Sequence, residues 1–440
     1  MAAPKMWLSL FQGPGVKAQL VRGAAGVGIL KLMSLPLGIV TSVILARVLG
    51  PEGYGQYAFI VSAISILSLP FGSGLGQLIS REVAKYHHAG EWKLFKGLIR
   101  RVNQWSFVGS ILIALTVAGI ALSQTNYQIN DRWTLFLVAV FQIPLLGLIA
   151  VRSSMLRGLR RVFYAQLPEL LIQPGLHLMI IGFLIISGFL NTVSTLLALE
   201  AATFCAFLLG SWLVKFYYPK EARSVRPDYR HGEWWAALLP MTLLAAVGTF
   251  NGQIGILLLG WLGSDEDVAA LRLATSGAGL VVLSQTIINL VIGPYITRAW
   301  RDNDKVQLQR LSRQSARAAL LFSLPIAFPL IFMGEEFVGF IYGDVYVDSV
   351  PLPLTILCIG QLVNVGVGSV GMFLTMTGFE KDTLKGHMVA LIVNVTAAIF
   401  LIPILGANGA ALAVALGLVT WNVLLAVRLF QRVGIRPLAF

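Results

Sequence analysis

Apolar residues occur along the chain in blocks of about 17 to 25 positions separated by short polar gaps, a period too long for strands or for the stripe of an ordinary amphipathic helix. A helix rises about 1.5 Å per residue, so each block is long enough to cross the roughly 30 Å hydrocarbon layer of a bilayer. Twelve such blocks are expected, at 23–46, 57–78, 105–122, 133–151, 167–186, 193–213, 235–259, 271–292, 318–333, 351–372, 388–404 and 407–425. Spanning β-strands would show alternating segments of about ten residues, and none is present. The pattern therefore predicts an all-α polytopic membrane protein of about twelve transmembrane helices.

Composition strengthens this reading. Of the 440 residues, 57% are hydrophobic and only 12% charged, and the mean hydropathy is +0.78. That is too apolar for a water-facing surface. The net charge of +13 would ordinarily raise nucleic acid as a partner, but the charges lie in the gaps between apolar blocks, not on a soluble basic face. All but four of the 33 lysines and arginines fall in one alternate set of gaps, the exceptions being Lys31, Arg47, Arg132 and Arg272. By the positive-inside rule those gaps, and with them both termini, are cytoplasmic. The other face is acidic, with Asp265, Glu266 and Asp267 in one loop and Glu335, Glu336, Asp344 and Asp348 in another. The amino terminus lacks a clear apolar core and a small-residue cleavage site, so no cleaved signal is expected.

The longest basic gap in the middle, KFYYPKEARSVRPDYRHGEWW, divides the blocks into two sets of six. The expected organisation is an amino-terminal lobe over 1–219, a cytoplasmic linker over 220–234 and a carboxy-terminal lobe over 235–440. A weak internal repeat agrees with this division: Leu49-Gly50 corresponds to Leu262-Gly263, each followed by an acidic turn, and Arg81 corresponds to Arg298. Trp92, Phe95, Leu98 and Ile99 recur at helical spacing within a basic gap, which predicts a helix lying on the membrane surface. Pro36, Pro240, Pro294 and Pro325 lie in or near spans and permit bends.

Absences narrow the chemistry. There is no GxxxxGK[ST] loop, no HExxH, no paired-cysteine motif and no GxSxG elbow. An ATP-driven pump, a metal site and a hydrolase are thus not indicated, and no enzyme is expected. The Asp302-Asn303-Asp304 triplet has a DxD form that chance often supplies in a solvated loop. Cys205 and Cys358 are too far apart in sequence to form a motif.

Ionisable groups within spans carry the functional signal, because a charge in hydrocarbon costs at least about 2.5–3.5 kcal/mol unless it faces a cavity or a partner. Lys31 lies near mid-depth in the first span; Arg47 and Arg272 sit near span ends and can either snorkel or line a cavity. These three are the candidates for a cationic cavity that takes an anionic substrate such as phosphate or pyrophosphate. Glu169, Gln173 and His177 share a helix face at i, i+4, i+8, and Glu200 lies in the following span. Glu200, Glu169 and His177 are the candidates for coupling to a proton or sodium gradient, and interhelical hydrogen bonding is the alternative. Asn251, Gln285, Asn289 and Asn364, with Gln173, are candidate polar cavity residues.

The segment ILARVLGPEGYGQYAFIVS followed by FGSGLGQLISREVAKY resembles the amino-terminal signature of polysaccharide flippases of the multidrug/oligosaccharidyl-lipid/polysaccharide exporter superfamily. FIYGDVYVDSVPLPLTIL, and then MTGFEKDTLKGHMVALIVNVTAAIFLIPILGANGAALA with Asn394 and Gly409-Ala410-Ala411, resembles the same family's carboxy-terminal half. The resemblance runs from about Ala18 to Leu429. It implies a V-shaped pair of six-helix bundles around a central cavity. The implied activity is transfer of an undecaprenyl-pyrophosphate-linked oligosaccharide from the cytoplasmic to the periplasmic leaflet of a bacterial inner membrane, for O-antigen, exopolysaccharide or capsule synthesis. Membrane lipid, a polysaccharide polymerase and chain-length machinery are the implied partners; no cofactor is implied beyond an ion gradient or the membrane potential. An ion-coupled drug or cation antiporter and a lipid II flippase of the same superfamily stay open as alternatives, as does a membrane glycosyltransferase or polymerase, whose usual large catalytic loop is missing.

Overall fold

The computed structural model describes residues 16–125 and 131–437. The amino-terminal segment, where no cleaved signal is expected, lies outside the described residues. Among the described residues every regular element is helical. Among the described residues seven helices are long and apolar enough to cross a membrane, and up to nine if two bent pairs each count as one span. The protein is a multi-pass membrane protein.

Two of the seven helices fold back on themselves. In the helix recorded as Val16–Leu67, Gly50 leaves helical geometry at φ 70°, and the Ser42 and Tyr54 hydroxyls lie 2.5 Å apart across it. Twelve residues of straight helix would separate them by about 18 Å, so the chain reverses at Gly50. In Glu380–Val433 the break is Gly406, at φ 52°. Beyond it, Gly417 packs so close to Ala390 and Asn394 that a Cβ there would lie 3.0 Å from the Asn394 side chain. Positive φ is open to glycine because it has no Cβ to clash with the carbonyl. Bends of 50° and 41° fall between Asp265–Val281 and Leu283–Asn289 and between Pro351–Val367 and Val370–Met376. Pro294 and Pro325, two of the prolines expected in or near spans, lie inside helices Leu283–Arg301 and Lys305–Phe332.

The chain forms two compact units. The first comprises Met1–Thr41 with Ile64–Ala246, and the second Ser42–Ala63 with Val247–Phe440. Helices in each meet along seams of small residues. Ser106, Ser110 and Ala114 are buried at four-residue intervals in Trp92–Gln124, and Ser312, Ser315, Ala316, Ala319, Ser323 and Ala327 are buried along one face of Lys305–Phe332. Such seams let backbones approach closely where lipid gives helices no hydrophobic reason to associate. Large apolar side chains face outward, among them Phe183, Ile186, Phe216, Phe322, Phe332 and Ile404. That is the distribution a lipid solvent selects.

The basic gap at 81–101 is not a helix lying on the membrane surface. Helix Leu75–Ala89 turns at Gly90 into the 33-residue helix Trp92–Gln124, which at about 1.5 Å per residue is longer than the hydrocarbon layer. Phe95 and Leu98 are wholly buried in a protein core with Leu78, Tyr86, Met155 and Trp234, so the apolar stripe packs on neighbouring helices. Segment 220–234 lies along the same helix: Lys96 Nζ donates to the carbonyls of Arg223 (2.7 Å) and Val225 (2.9 Å), and the Asp228 N–H donates to the Lys93 carbonyl (3.0 Å). In unit 2 the acidic gaps gather at one end. The Tyr346 hydroxyl donates to the Ala46 carbonyl, the Ala407 N–H donates to Asp267, and Gly55 lies against the Asp265 carbonyl.

Candidate functional site

Unit 1 holds a cavity of about 1040 Å³ whose polar lining includes Gln77, Ser80, Arg81, Arg157, Glu169 and Gln173. Arg157 occupies the last turn of Gln142–Gly158. Its guanidinium donates to the hydroxyls of Ser153 (3.0 Å) and Ser154 (2.6 Å), residues one turn earlier on the same helix face. Two of its five N–H donors are used in this way, and three remain. Glu169 enters from a π-helical turn, Pro168–Ile172, closed by the Gln173 N–H donating to the Pro168 carbonyl. Such turns insert an extra residue into a helix and redirect its side chains. The Ser153 hydroxyl donates to Glu169 while accepting from Arg157, and the two charges attract one another directly. Arg81 brings a second guanidinium, 2.8 Å from the carboxylate of the nearly buried Glu82.

Beside this cavity the amides of Gln142 and Gln173 both donate to the Thr203 hydroxyl at 2.8 Å, and that hydroxyl donates to the Leu199 carbonyl. One donor and two acceptor positions are thereby filled, which fixes three helices together. His177, expected on one face with Glu169 and Gln173, is buried and donates to the Thr195 carbonyl. Glu200 accepts from the backbone N–H of Gln142, the first residue of a helix that begins within the expected 133–151 span. A carboxylate there satisfies one of the free N–H groups of a helix start. Glu169 and Gln173 thus share the cavity, whereas His177 and Glu200 are engaged with backbone.

The three expected cations are divided between the units, Lys31 in unit 1 and Arg47 and Arg272 in unit 2. Lys31 is exposed on the first helix, in unit 1. Arg47, in unit 2, donates to the carbonyls of Ile341 (2.8 Å) and Phe340, which close the helix Gly334–Tyr342. A cation there neutralises the negative end of the helix dipole. Arg272 is half-buried within electrostatic reach of Tyr57. Sequence reasoning missed Arg157, which it counted among the topology-setting arginines of the gap 152–161. The signal available was the pair of serines three and four residues before it. In unit 1 a further basic cavity of about 440 Å³ is lined by Arg152, Lys215 and Arg223 with Asn103, Ser211 and Tyr218.

Unit 2 holds a cavity of about 550 Å³ and of different chemistry, lined by Gln285, Asn289, Gln361, Asn364, Trp421 and Asn422 among others. Asn364 donates to Gln285 and to Gln361 at 3.2 Å each, and Asn422 donates to Asn364 at 3.0 Å. Ser369 donates to Asn289. Three of the four polar candidates of the second lobe therefore meet at one place. The fourth, Asn251, donates to the carbonyls of Val247 and His387, and His387 stacks on Trp421 with ring centres 4.4 Å apart.

Sequence comparison supplies the family. Residues 20–300 match the family described as polysaccharide biosynthesis protein. The chain belongs to that family. A similar protein, the probable low-salt glycan biosynthesis flippase Agl15 of Haloferax volcanii, is 20% identical over 399 residues, covering 89% of this chain and 79% of its own length. Among solved structures, the chain resembles an inward-facing multidrug resistance MATE family transporter of the MOP superfamily, with a TM-score of 0.77, 13% identity, and coverage of 92% of this chain and 98% of that one. It also resembles the lipid II flippase MurJ in an inward closed conformation, with a TM-score of 0.71, 14% identity, and coverage of 92% and 86%. These likenesses show a fold shared with those two structures.

Proposed function

We propose that this polysaccharide biosynthesis protein is a flippase that moves an undecaprenyl-pyrophosphate-linked oligosaccharide from the cytoplasmic to the periplasmic leaflet, for O-antigen, exopolysaccharide or capsule assembly in a bacterial inner membrane. The observation that carries this reading is Arg157, held by Ser153 and Ser154 at the wall of the large cavity in unit 1 with donors to spare. A pyrophosphate competes with Glu169 for those donors, and planar guanidinium groups such as Arg157 and Arg81 suit phosphate geometry. No covalent step is required. Glu169 is the residue whose proton or ion occupancy couples transport to a gradient, since its charge decides how strongly Arg157 is already engaged. The proposed topology is twelve crossings with both termini cytoplasmic, and Lys31 supplies a further cation on the path. A polysaccharide polymerase and chain-length machinery act downstream.

A second reading, an ion-coupled drug or cation antiporter, is favoured by Glu169 and by the likeness to MATE transporters. Reconstitution separates the two. Vesicles holding the full chain should move a fluorophore-labelled lipid-linked oligosaccharide between leaflets faster than empty vesicles do. Equal rates under every imposed ion gradient, together with gradient-driven efflux of organic cations, would establish the antiporter instead.

A further inference from the structure

The cavity of unit 2 is lined by many hydrogen-bonding groups, and none of them is a fixed charge. Its polar lining is amide, hydroxyl, imidazole and indole, with Gln285, Asn289, Gln361, Asn422, Thr383 and Trp421 carrying the unspent groups. Gln285, Gln361 and Asn289 each spend the carbonyl oxygen on a neighbour, accepting from Asn364, Asn364 and Ser369 respectively. Their amide N–H₂ groups have no partner among the described residues, which leaves three paired donors around one space. In the wall of the same cavity the Thr383 hydroxyl, the Trp421 indole nitrogen and the Asn422 amide oxygen are shielded from solvent and unpartnered, and Asn422 is 1% exposed. A buried polar group left unmade costs roughly 1–3 kcal/mol, so the three shielded groups, beside three amides with donors to spare, suit a ligand that supplies both donors and acceptors.

We propose that this cavity binds a neutral sugar of the substrate's glycan. The proposal deepens the flippase reading and rests on it. A sugar hydroxyl donates one hydrogen bond and accepts two, matching a wall that mixes free donors with free acceptors. Trp421 adds an aromatic wall of the kind that packs on the polarised C–H groups of a pyranose, with His387 covering one ring face and fixing its tilt. The volume of about 550 Å³ lies within the roughly 300–1,000 Å³ of small-molecule sites. A uronate or phosphorylated sugar would meet no cation here, and an unpaired ion pays heavily for leaving water. Neutral hexoses and N-acetylhexosamines are therefore the class taken, and the anion-binding chemistry belongs to the cavity of Arg157.

The test uses the full chain in lipid nanodiscs and a panel of free, fluorophore-labelled tri- and tetrasaccharides, neutral ones beside uronate-bearing ones of equal length. At least one neutral glycan should bind, with an affinity unchanged by salt between about 50 and about 500 mM, because no ion pair is screened. The uronate-bearing glycans should bind at least about tenfold more weakly. Asn289→Ala and Trp421→Phe should each weaken neutral-glycan binding about tenfold or more, and Gln361→Met serves where either variant melts below the wild type. Failure of every neutral glycan to bind, tighter binding of the uronates, or wild-type affinity in the folded variants overturns the proposal. The two readings fail separately: transport of the lipid-linked substrate without free-glycan binding removes the sugar site alone, and glycan binding without transport removes the flippase reading.

Discussion

Replacing Arg157 by alanine removes the guanidinium from the unit 1 cavity without introducing bulk. Two of its five donors hold Ser153 and Ser154, so up to three are available to an incoming pyrophosphate. Each hydrogen bond to a charged group is worth about 1.5–3 kcal/mol, and part of that gain is already realised with Glu169, which the ligand must displace. A net loss of about 2–4 kcal/mol is expected on truncation, roughly a 30- to 700-fold weaker affinity. Undecaprenyl pyrophosphate binding to the full chain in nanodiscs reads this directly, with flipping of the labelled lipid-linked oligosaccharide as the functional counterpart. Arg157→Lys should recover only part of the affinity, because an ammonium keeps the charge and loses the planar fork. Glu169→Gln should shift affinity the opposite way, by removing the anion that competes for the same donors. Wild-type pyrophosphate affinity in a folded Arg157→Ala protein, or weaker binding in Glu169→Gln, would refute the assignment of this cavity.

Arg47→Ala should lower the melting temperature in detergent while leaving pyrophosphate affinity within about twofold, because Arg47 stabilises the carbonyl end of Gly334–Tyr342 through interactions worth about 0.3–2 kcal/mol. Trp234→Phe removes the donor to the Tyr86 hydroxyl at 3.0 Å in a fully buried core, and should cost roughly 1–3 kcal/mol, read as a lower melting temperature with unchanged glycan binding. Gly97→Ala would place a Cβ 1.7 Å from the Asp228 carbonyl oxygen, so the segment 225–230 must detach from its helix; faster proteolysis within that segment checks this. Arg432→Ala strands the nearly buried Asp382 carboxylate, paired at 3.0 Å, and should destabilise unit 2 more than Arg298→Ala, whose exposed pair with Asp302 is worth little.

Much of this protein is written in hydropathy. That it crosses a membrane many times, that it is helical and that it resembles polysaccharide flippases could all be read from block length, charge placement and local motifs. Hydrocarbon penalises every unpaired backbone group and every stray charge at the moment of insertion, so each span must carry its own signal. The reversal at Gly50 was legible too, as the partner of Gly263 in the internal repeat. The gathering of Gln285, Asn289 and Asn364 was half visible, because amides within an apolar block have few other uses.

What the chain does with its charges was decided only by tertiary structure. Lys31, Arg47 and Arg272 stood out because they break the alternation of basic gaps, yet Arg47 closes a helix nearly three hundred residues away in sequence. Arg157 passed as one more topology-setting arginine, yet it lines a cavity, placed there by serines on its own helix and beside a glutamate that a π-turn brings round from another. Burial in the membrane depends on each segment's composition and is therefore local information. The partner of a charge depends on which helices become neighbours, and that follows from seams of small residues and single-residue shifts of register that leave almost no mark on the one-dimensional pattern.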